Sequence, residues 1–426
     1  MSYSPAPGRP RQPLRFCLVT TFYPPFNFGG DGITIRRLAN LLAESGHHVE
    51  VAHCVDAFDM LRPEGVPPSG PYDDHPAIVH HALRSRAGRL SPLITQQTGS
   101  PGLKRGALRR LLTRGRFDVV HFHNTSLIGP TALAYGDGLK LYTTHEHWLV
   151  CPTHVLWRFN REPCTGRQCL RCVMQARRPP QLWRSLGLLE RSLRHLDAII
   201  APSRFTRDKH LELGLKVSAP IVHIPNFLPR PEPPRAGTAS PHPRPYFLFA
   251  GRLERIKGAH VLVEAFKDYP HADLLLAGLG NDAGWLRELA QGAEHVHFLG
   301  ARPYAELEEL IRHAIGVIVP SVGFEVFPTV VLEAYAHGTP VIGNRLGPLP
   351  EMLDGCGGLT YGNREELVRA LDTLRLSPET RQSLSAQALA TYEGNWTPER
   401  HMDAYFGLID ELSAARRGQG TAVQAG

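Results

Sequence analysis

The chain has 426 residues, 42% hydrophobic and 20% charged, with 47 Lys+Arg against 40 Asp+Glu for a net charge of +7. This length calls for two or three domains with real cores, and no apolar run approaches the roughly 20 residues of a membrane-spanning helix. Residues 1–13 lack the apolar stretch of a secretory signal, so a cytoplasmic chain with its seven cysteines reduced is expected.

Residues 15–20 predict a strand. A loop rich in Pro, Phe and Gly follows, then a helix over 33–45, where Ile33, Leu38, Leu41 and Leu42 recur near helical spacing and Gly46 marks the stop. Residues 48–54 predict the next strand. This strand–loop–helix–strand opening is that of a parallel α/β sheet. Further strands are predicted at 118–122, 140–144, 197–201 and 221–224, with helices at 127–135, 181–195 and 203–213. Residues 229–245 hold seven prolines and read as a stiff linker. The alternation then restarts, with strands at 246–250, 273–277, 295–299, 316–319 and 340–343. Helices are predicted at 258–268, 284–291, 304–313, 328–337 and 363–375. Two doubly wound halves place ligand sites at the carboxyl ends of their strands, facing a cleft.

Charge divides unevenly between those halves. Residues 1–228 carry 29 basic and 16 acidic side chains, a balance of +13, against 18 and 24, or −6, in residues 229–426. Residues 82–117 contain nine basic side chains and no acid. Nucleic acid, an anionic membrane and an anionic substrate are the partner classes this suits, beside the plain reading of a solvated face. No aromatic-interleaved RNA motif or helix-turn-helix pattern accompanies it, so nucleic acid is not expected.

Three loops carry candidate chemistry. In Asn27–Gly32, between a strand and a helix, Gly29 and Gly30 let backbone N–H groups approach a phosphate at a helix N-terminus; the alternative is a tight turn. It is not G-x-G-x-x-G, which weighs against a dinucleotide oxidoreductase. In Gly251–Gly258, Arg252 and Lys257 follow a strand and suit a diphosphate leaving group, with Glu254 between them offering a plain salt bridge instead. In Gly323–Ala334, Glu325 precedes a helix that Pro328 opens, and Glu333 lies within it. A carboxylate on so apolar a helix needs a partner if buried, and sugar hydroxyls would serve. His121 and His123 alternate on a strand whose carboxyl end meets the cleft.

Taken together these loops resemble the retaining glycosyltransferases of the GT-B superfamily, family 4 (glycosyl transferases group 1), over about residues 15 to 400. The resemblance rests on motifs in order. They are Gly29-Gly30 with Gly46-His47-His48-Val49, Asp118–His123, Thr144-His145-Glu146, Ala201-Pro202-Ser203 and Ile224-Pro225-Asn226. Gly251-Arg252 through Lys257-Gly258, Ala277–Gly280, and Glu325 with seven residues before Glu333 then follow, with Gly338-Thr339-Pro340-Val341 closing the series. It implies an α/β, GT-B fold of two Rossmann-like doubly wound domains with an interdomain cleft. The expected layout is a tail at 1–13, an acceptor-side domain at 14–228, the linker at 229–245 and a nucleotide-sugar domain at 246–394. A helix at 395–416 would return to the first domain, and a tail would follow at 417–426.

The resemblance also implies the roles. Arg252 and Lys257, with Gly251 and Gly278 beside them, hold the donor diphosphate, and Glu333 takes the ribose hydroxyls. Glu325 meets the transferred sugar near the backbone N–H groups of Phe324, Val326 and Phe327. Gly29 and Gly30 line the reaction centre, and His145 lies beside the anomeric carbon, with Glu146 where the family often has Asp. Pro328 departs from the pattern and removes one N–H donor. The implied enzyme is a nucleotide-sugar-dependent hexosyltransferase needing no catalytic metal, in agreement with the lack of a D-x-D motif. Its acceptor would be a sugar or lipid-linked hydroxyl in cell-surface polysaccharide, glycolipid or related glycoconjugate synthesis. The alternative is a basic membrane-surface or nucleic-acid-binding protein without catalysis. Residues 103–113 form a basic amphipathic pattern suited to anionic lipid at the inner membrane face, or to a crossover helix on the sheet. Cys151, Cys164, Cys169 and Cys172 have spacing suited to a structural zinc site; unligated thiols or one adventitious disulfide are the plain reading.

Overall fold

A computed structural model describes residues 12–62, 67–68, 70, 72–233 and 239–424. The expected tail at 1–13 thus falls almost wholly outside the described residues, as do 234–238 of the Pro-rich stretch and 425–426 of the C-terminal tail. The chain divides into two compact units, the first comprising residues 1–154, 166–226 and 401–426 and the second 155–165 and 227–400.

The first unit is built on a seven-stranded sheet, ordered β3-β2-β1-β4-β5-β8-β9. Its strands are β1 (Arg15–Thr20), β2 (His48–Cys54), β3 (Val79–Leu83), β4 (Val119–Phe122), β5 (Leu139–Thr143), β8 (Ala198–Ala201) and β9 (Ile221–His223). All pairings are parallel, as in Phe16 opposite Val49 on one side and Val119 on the other. The central strands are buried along their length, as expected where both faces are covered. Strand order reverses between β1 and β4, and the Gly29–Gly30 loop leaves β1 at this switch point. The last helix, Pro398–Gln424, belongs to this unit from His401 onward. Its Tyr405 and Phe406 pack on Phe16, and the Tyr405 hydroxyl lies 2.9 Å from His121 Nδ1.

The second unit has six parallel strands ordered β12-β11-β10-β13-β14-β15. They are β10 (Tyr246–Ala250), β11 (Asp273–Ala277), β12 (Val296–Gly300), β13 (Gly316–Val319), β14 (Val341–Asn344) and β15 (Gly358–Tyr361). A small hairpin, β6 (Trp157–Arg158) and β7 (Glu162–Pro163), is also part of it. Here the order reverses between β10 and β13. Described residues of the Pro-rich stretch are tied to this unit. Arg230 pairs with Glu399 at 2.7 Å and Glu393 at 2.9 Å, and Tyr392 donates to the Leu228 carbonyl.

Among the basic side chains of 82–117, eight arginines are exposed. Lys104 instead turns inward, where Nζ donates to Ser91 Oγ at 2.6 Å and lies 4.0 Å from Asp56.

Candidate active site

In the second unit, the two loops that leave the switch-point strands meet. Lys257 follows β10 and Glu325 follows β13, and Lys257 Nζ lies 2.8 and 2.9 Å from the two Glu325 oxygens. The Ser321 hydroxyl donates to Glu325 Oε1 at 2.5 Å, and Asn344, at the end of β14, holds the Ser321 carbonyl at 2.9 Å. Burial alone would raise the Glu325 pKa. The charge and hydrogen bond of Lys257, the Ser321 hydroxyl and the Arg252 charge together bring it below the ordinary carboxylate value, so Glu325 is ionised at neutral pH. Arg252 itself is exposed and pairs with Glu254 at 2.7 Å.

The backbone around this pair is tightly specified. Gly251 N–H donates to Ala277 O and Leu253 N–H to Leu279 O, fastening the loop to the end of β11. Gly278 has φ +147°, and a Cβ there would stand 1.8 Å from the Gly251 carbonyl oxygen, so only glycine lets the two loops touch. Pro328 precedes the helix Thr329–Ala336, whose dipole adds partial positive charge at the same end. Glu333 is half-buried in that helix. Phe327 is buried edge-on against Trp396; Phe324 and Val326 are half-buried. Ser321, Asn344 and Gly347, the last beside the Glu325 amide, carried no signal in the sequence.

The first unit gathers a second cluster. Gly29, at φ +83°, caps the helix Gly30–Glu44, and Asn27 Nδ2 holds the Gly29 carbonyl at 2.7 Å. His145 Nε2 lies 3.0 Å from His123 Nδ1 with the rings stacked, and His121 lies against His123. Burial and the neighbouring His401 charge push His145 down to about 4, so it acts as a neutral imidazole. His123 Nε2 is buried without a hydrogen-bond partner. Glu146 gives one oxygen to His154 Nδ1 at 2.6 Å, while its other oxygen is buried and unpartnered.

Asp31, in the first turn of that helix, completes the cluster. Burial and the Glu146 carboxylate raise its pKa to about 6, against hydrogen bonds from its own and the Gly32 N–H groups and the Asn124 side chain. A raised acid is penalised when ionised, so the penalty grows as pH rises from near 4 through about 6. Asp31→Asn is therefore expected to raise stability at pH 7.5 by about 1–2 kcal/mol, allowing for its partial exposure. The gain should fade on acidification to pH 4, as followed by urea unfolding at both pH values.

The cysteines occupy several elements. Cys151 is buried, its sulfur 3.2 Å from Thr153 Oγ1. Cys164 follows β7, its N–H donating to Leu156 O at 2.7 Å. Cys169 and Cys172 lie one turn apart on the helix Cys169–Gln175. Beside them, Arg184 stacks on Trp148 and Trp183 at a cavity of about 320 Å³ lined by Leu149, Val150 and Cys169.

Comparison with known proteins gives these clusters a family. Residues 28–230 match the family described as Glycosyltransferase Family 4, and residues 232–390 that described as Glycosyl transferases group 1. A D-inositol 3-phosphate glycosyltransferase from Corynebacterium urealyticum is 33% identical over 368 residues, covering 79% of this chain and 80% of that protein. A glycogen synthase from Mycobacterium tuberculosis is 28% identical over 380 residues, 83% of each chain. The solved structure of Anabaena Alr3699/HepE in complex with UDP shares the fold, with a TM-score of 0.63 at 18% identity over 95% of this chain and 100% of that one. With two doubly wound Rossmann-like units and these matches along nearly its whole length, the chain belongs to the family 4 glycosyltransferases and is a sugar-transferring enzyme of the GT-B fold.

Proposed function

We propose that the enzyme transfers a hexose from a nucleoside-diphosphate donor to an acceptor hydroxyl with retention of configuration, without a catalytic metal. The observation that carries this reading is the Lys257–Glu325 pair at the β10/β13 switch point, a cation and a sugar-binding carboxylate held on one spot. On donor binding, Lys257 and Arg252 take the negative charge that develops on the leaving diphosphate, helped by the amino end of the helix Thr329–Ala336. Glu325 and the backbone N–H groups of Phe324, Val326 and Phe327 bind sugar hydroxyls. Gly251 and Gly278 let the diphosphate approach the backbone, and Glu333 binds the ribose.

The first unit is assigned to the acceptor. Gly29 and Gly30 leave room beside the reacting sugar, neutral His145 hydrogen-bonds near the anomeric carbon, and Asp31 and Glu146 receive acceptor hydroxyls. The UDP in the Anabaena neighbour supports a nucleotide donor. The test is a screen of UDP-, GDP- and ADP-sugars by thermal unfolding and turnover. One donor at 100 times its Kd should add about 2.7 kcal/mol; no stabilisation and no turnover with any of them would remove the reading.

The same proposal places the acceptor on a glycolipid or related cell-surface glycoconjugate and the enzyme at the inner membrane face. No helix among the described residues is long and apolar enough to cross a membrane. The helix Arg105–Arg114 buries Leu108 and Leu112 in the core and exposes Arg105, Arg109 and Arg110, while the helix Leu90–Thr98 exposes Leu90, Leu93 and Ile94, so exposed basic and apolar side chains are both available to an anionic surface. Flotation with anionic but not neutral liposomes is expected. We propose that the cysteine-rich segment holds a structural zinc of its own, with Cys169 and Cys172, spaced by one helical turn, as two of its ligands.

A further inference from the structure

A group of metal-donor side chains lies far from the Lys257–Glu325 pair, at the opposite end of the second unit's sheet. His242 is in the Pro-rich stretch, Asp273 opens β11, and His297 is on the neighbouring strand β12. Their donor atoms all lie within 4.8 Å of one another. Both imidazoles point Nε2 at the same oxygen, with His242 at 2.6 Å and His297 at 3.0 Å from Asp273 Oδ2. The rings meet at 5.0 Å between centroids, inclined by 62°. Asp273 is almost wholly buried, whereas His242 and His297 are partly open. The Asp273 register opposite Tyr246 puts this group at the amino end of the sheet, about 13 Å along β11 from Ala277.

Two imidazole nitrogens and one carboxylate oxygen are the donor types of a borderline divalent transition metal. We propose that His242, Asp273 and His297 form a zinc-type metal site that fastens the described end of the Pro-rich stretch to the sheet. A tetrahedral ion with bonds of about 2.0–2.1 Å needs donors roughly 3.3 Å apart. From 2.6 and 3.0 Å, the His242 distance therefore opens by about 0.7 Å and the His297 distance by about 0.3 Å, which two partly exposed rings accommodate. The remaining carboxylate oxygen has a support of its own. Arg244 Nη1 lies 3.0 Å from Asp273 Oδ1, an outer contact that orients a monodentate carboxylate toward the metal. A fourth position is open to water, because His242 also lines a cavity of about 560 Å³ with Arg302, Glu306 and Glu309. Each imidazole binds as its Nδ1–H tautomer with the Nε2 lone pair on the ion, so the Nε2 proton of a neutral ring moves to Nδ1 and that of an imidazolium passes to solvent; no redox step is involved.

The test uses the full chain purified without a histidine tag, stripped with chelator, loaded with zinc and desalted. Because the cysteines are assigned a metal of their own, the comparison is made in a Cys169→Ser/Cys172→Ser background. One equivalent of zinc is expected there, and it should be lost in His242→Gln/His297→Gln and in Asp273→Asn. Glutamine still donates a hydrogen bond to Asp273, so the chelated parent and the glutamine variant should melt alike. Cobalt loaded in place of zinc should show ligand-field bands without a thiolate charge-transfer band. Less than about 0.2 equivalents in the parent, or the same zinc content in the glutamine variant, would overturn the proposal. Turnover of a sugar nucleotide should survive these substitutions, so failure here is separable from failure of the donor-site reading.

Discussion

Lys257→Ala is expected to lower sugar-nucleotide turnover by roughly 10²–10³-fold, the range seen when one preorganised charge stabiliser is removed from a transition state. The reason is local. Residues 229–400, the bulk of the second unit, carry 16 basic and 21 acidic side chains, a balance of −5, so the proposed donor binding depends on a few cations rather than on bulk charge. Arg252 is exposed and pairs with Glu254, while Lys257 is held on Glu325 by two contacts. Glu325→Gln should give a loss of similar size by a different route, since it keeps the shape and Ser321 contact but removes the charge that fixes Lys257. The single variants also report on stability. Lys257→Ala leaves a carboxylate with only Ser321 and the more distant Arg252 charge to compensate it, a loss of about 1–3 kcal/mol. The double variant Lys257→Ala/Glu325→Ala should lose less than the sum of the two singles, because it removes both partners. Strict additivity in urea unfolding would mean the two side chains do not interact. In the parent, the depressed Glu325 pKa gives stability present above the ordinary carboxylate range and lost as pH falls below it.

Gly278→Ala is the second large effect, with about 3–5 kcal/mol of lost stability expected from backbone strain plus overpacking. Two observations set this size. The φ of +147° is one that alanine rarely adopts, and the added Cβ would sit 1.8 Å from the Gly251 oxygen, a backbone atom with nowhere to move. Gly251 N–H and Gly278 N–H are committed to Ala277 O and Gly300 O, so relief would disturb both ends of the loop carrying Arg252 and Lys257. Gly29→Ala is the control, since a Cβ there meets nothing within 4 Å and only its φ of +83° is unfavourable. It should lose about 1 kcal/mol. Equal denaturation midpoints for the two variants would contradict the account.

Much of the fold could be read in the sequence because its strands are short apolar runs bounded by turns. Strands 246–250, 273–277 and 316–319 fall where periodicity predicts. The misses have physical causes. The edge strand Val79–Leu83 is mostly exposed and carries two histidines, so it lacks the buried pattern. Gly187, in the left-handed region, breaks the predicted helix 181–195 into a 3-10 turn and a short helix. Gly129 and Pro130 turn the predicted helix 127–135 into a 3-10 segment. Helix Pro378–Asn395 buries little beyond Ala388 and Tyr392, though Ser377 capping Thr380 N–H with Pro378 behind it is a start signal.

The site follows the same division. Lys257 and Glu325 stand out through their loops and spacing. Ser321, Asn344 and Asp31 do not, because each matters only through a partner remote in sequence. Asp31 reads as an ordinary acid in a helix's first turn until the fold sets it beside Glu146 and Asn124. Lys104 counted as surface charge until it proved to be turned inward onto Ser91.

In the proposed mechanism the second unit binds the donor through Lys257 while the first serves the acceptor. The most direct test is calorimetric titration of the preferred sugar nucleotide into the parent, Lys257→Ala and Asp31→Asn. Affinity at least about 100-fold weaker is expected for Lys257→Ala, a difference of about 2.7 kcal/mol, and affinity unchanged within about twofold for Asp31→Asn. Undiminished affinity in Lys257→Ala, or its loss in Asp31→Asn, would contradict that mechanism.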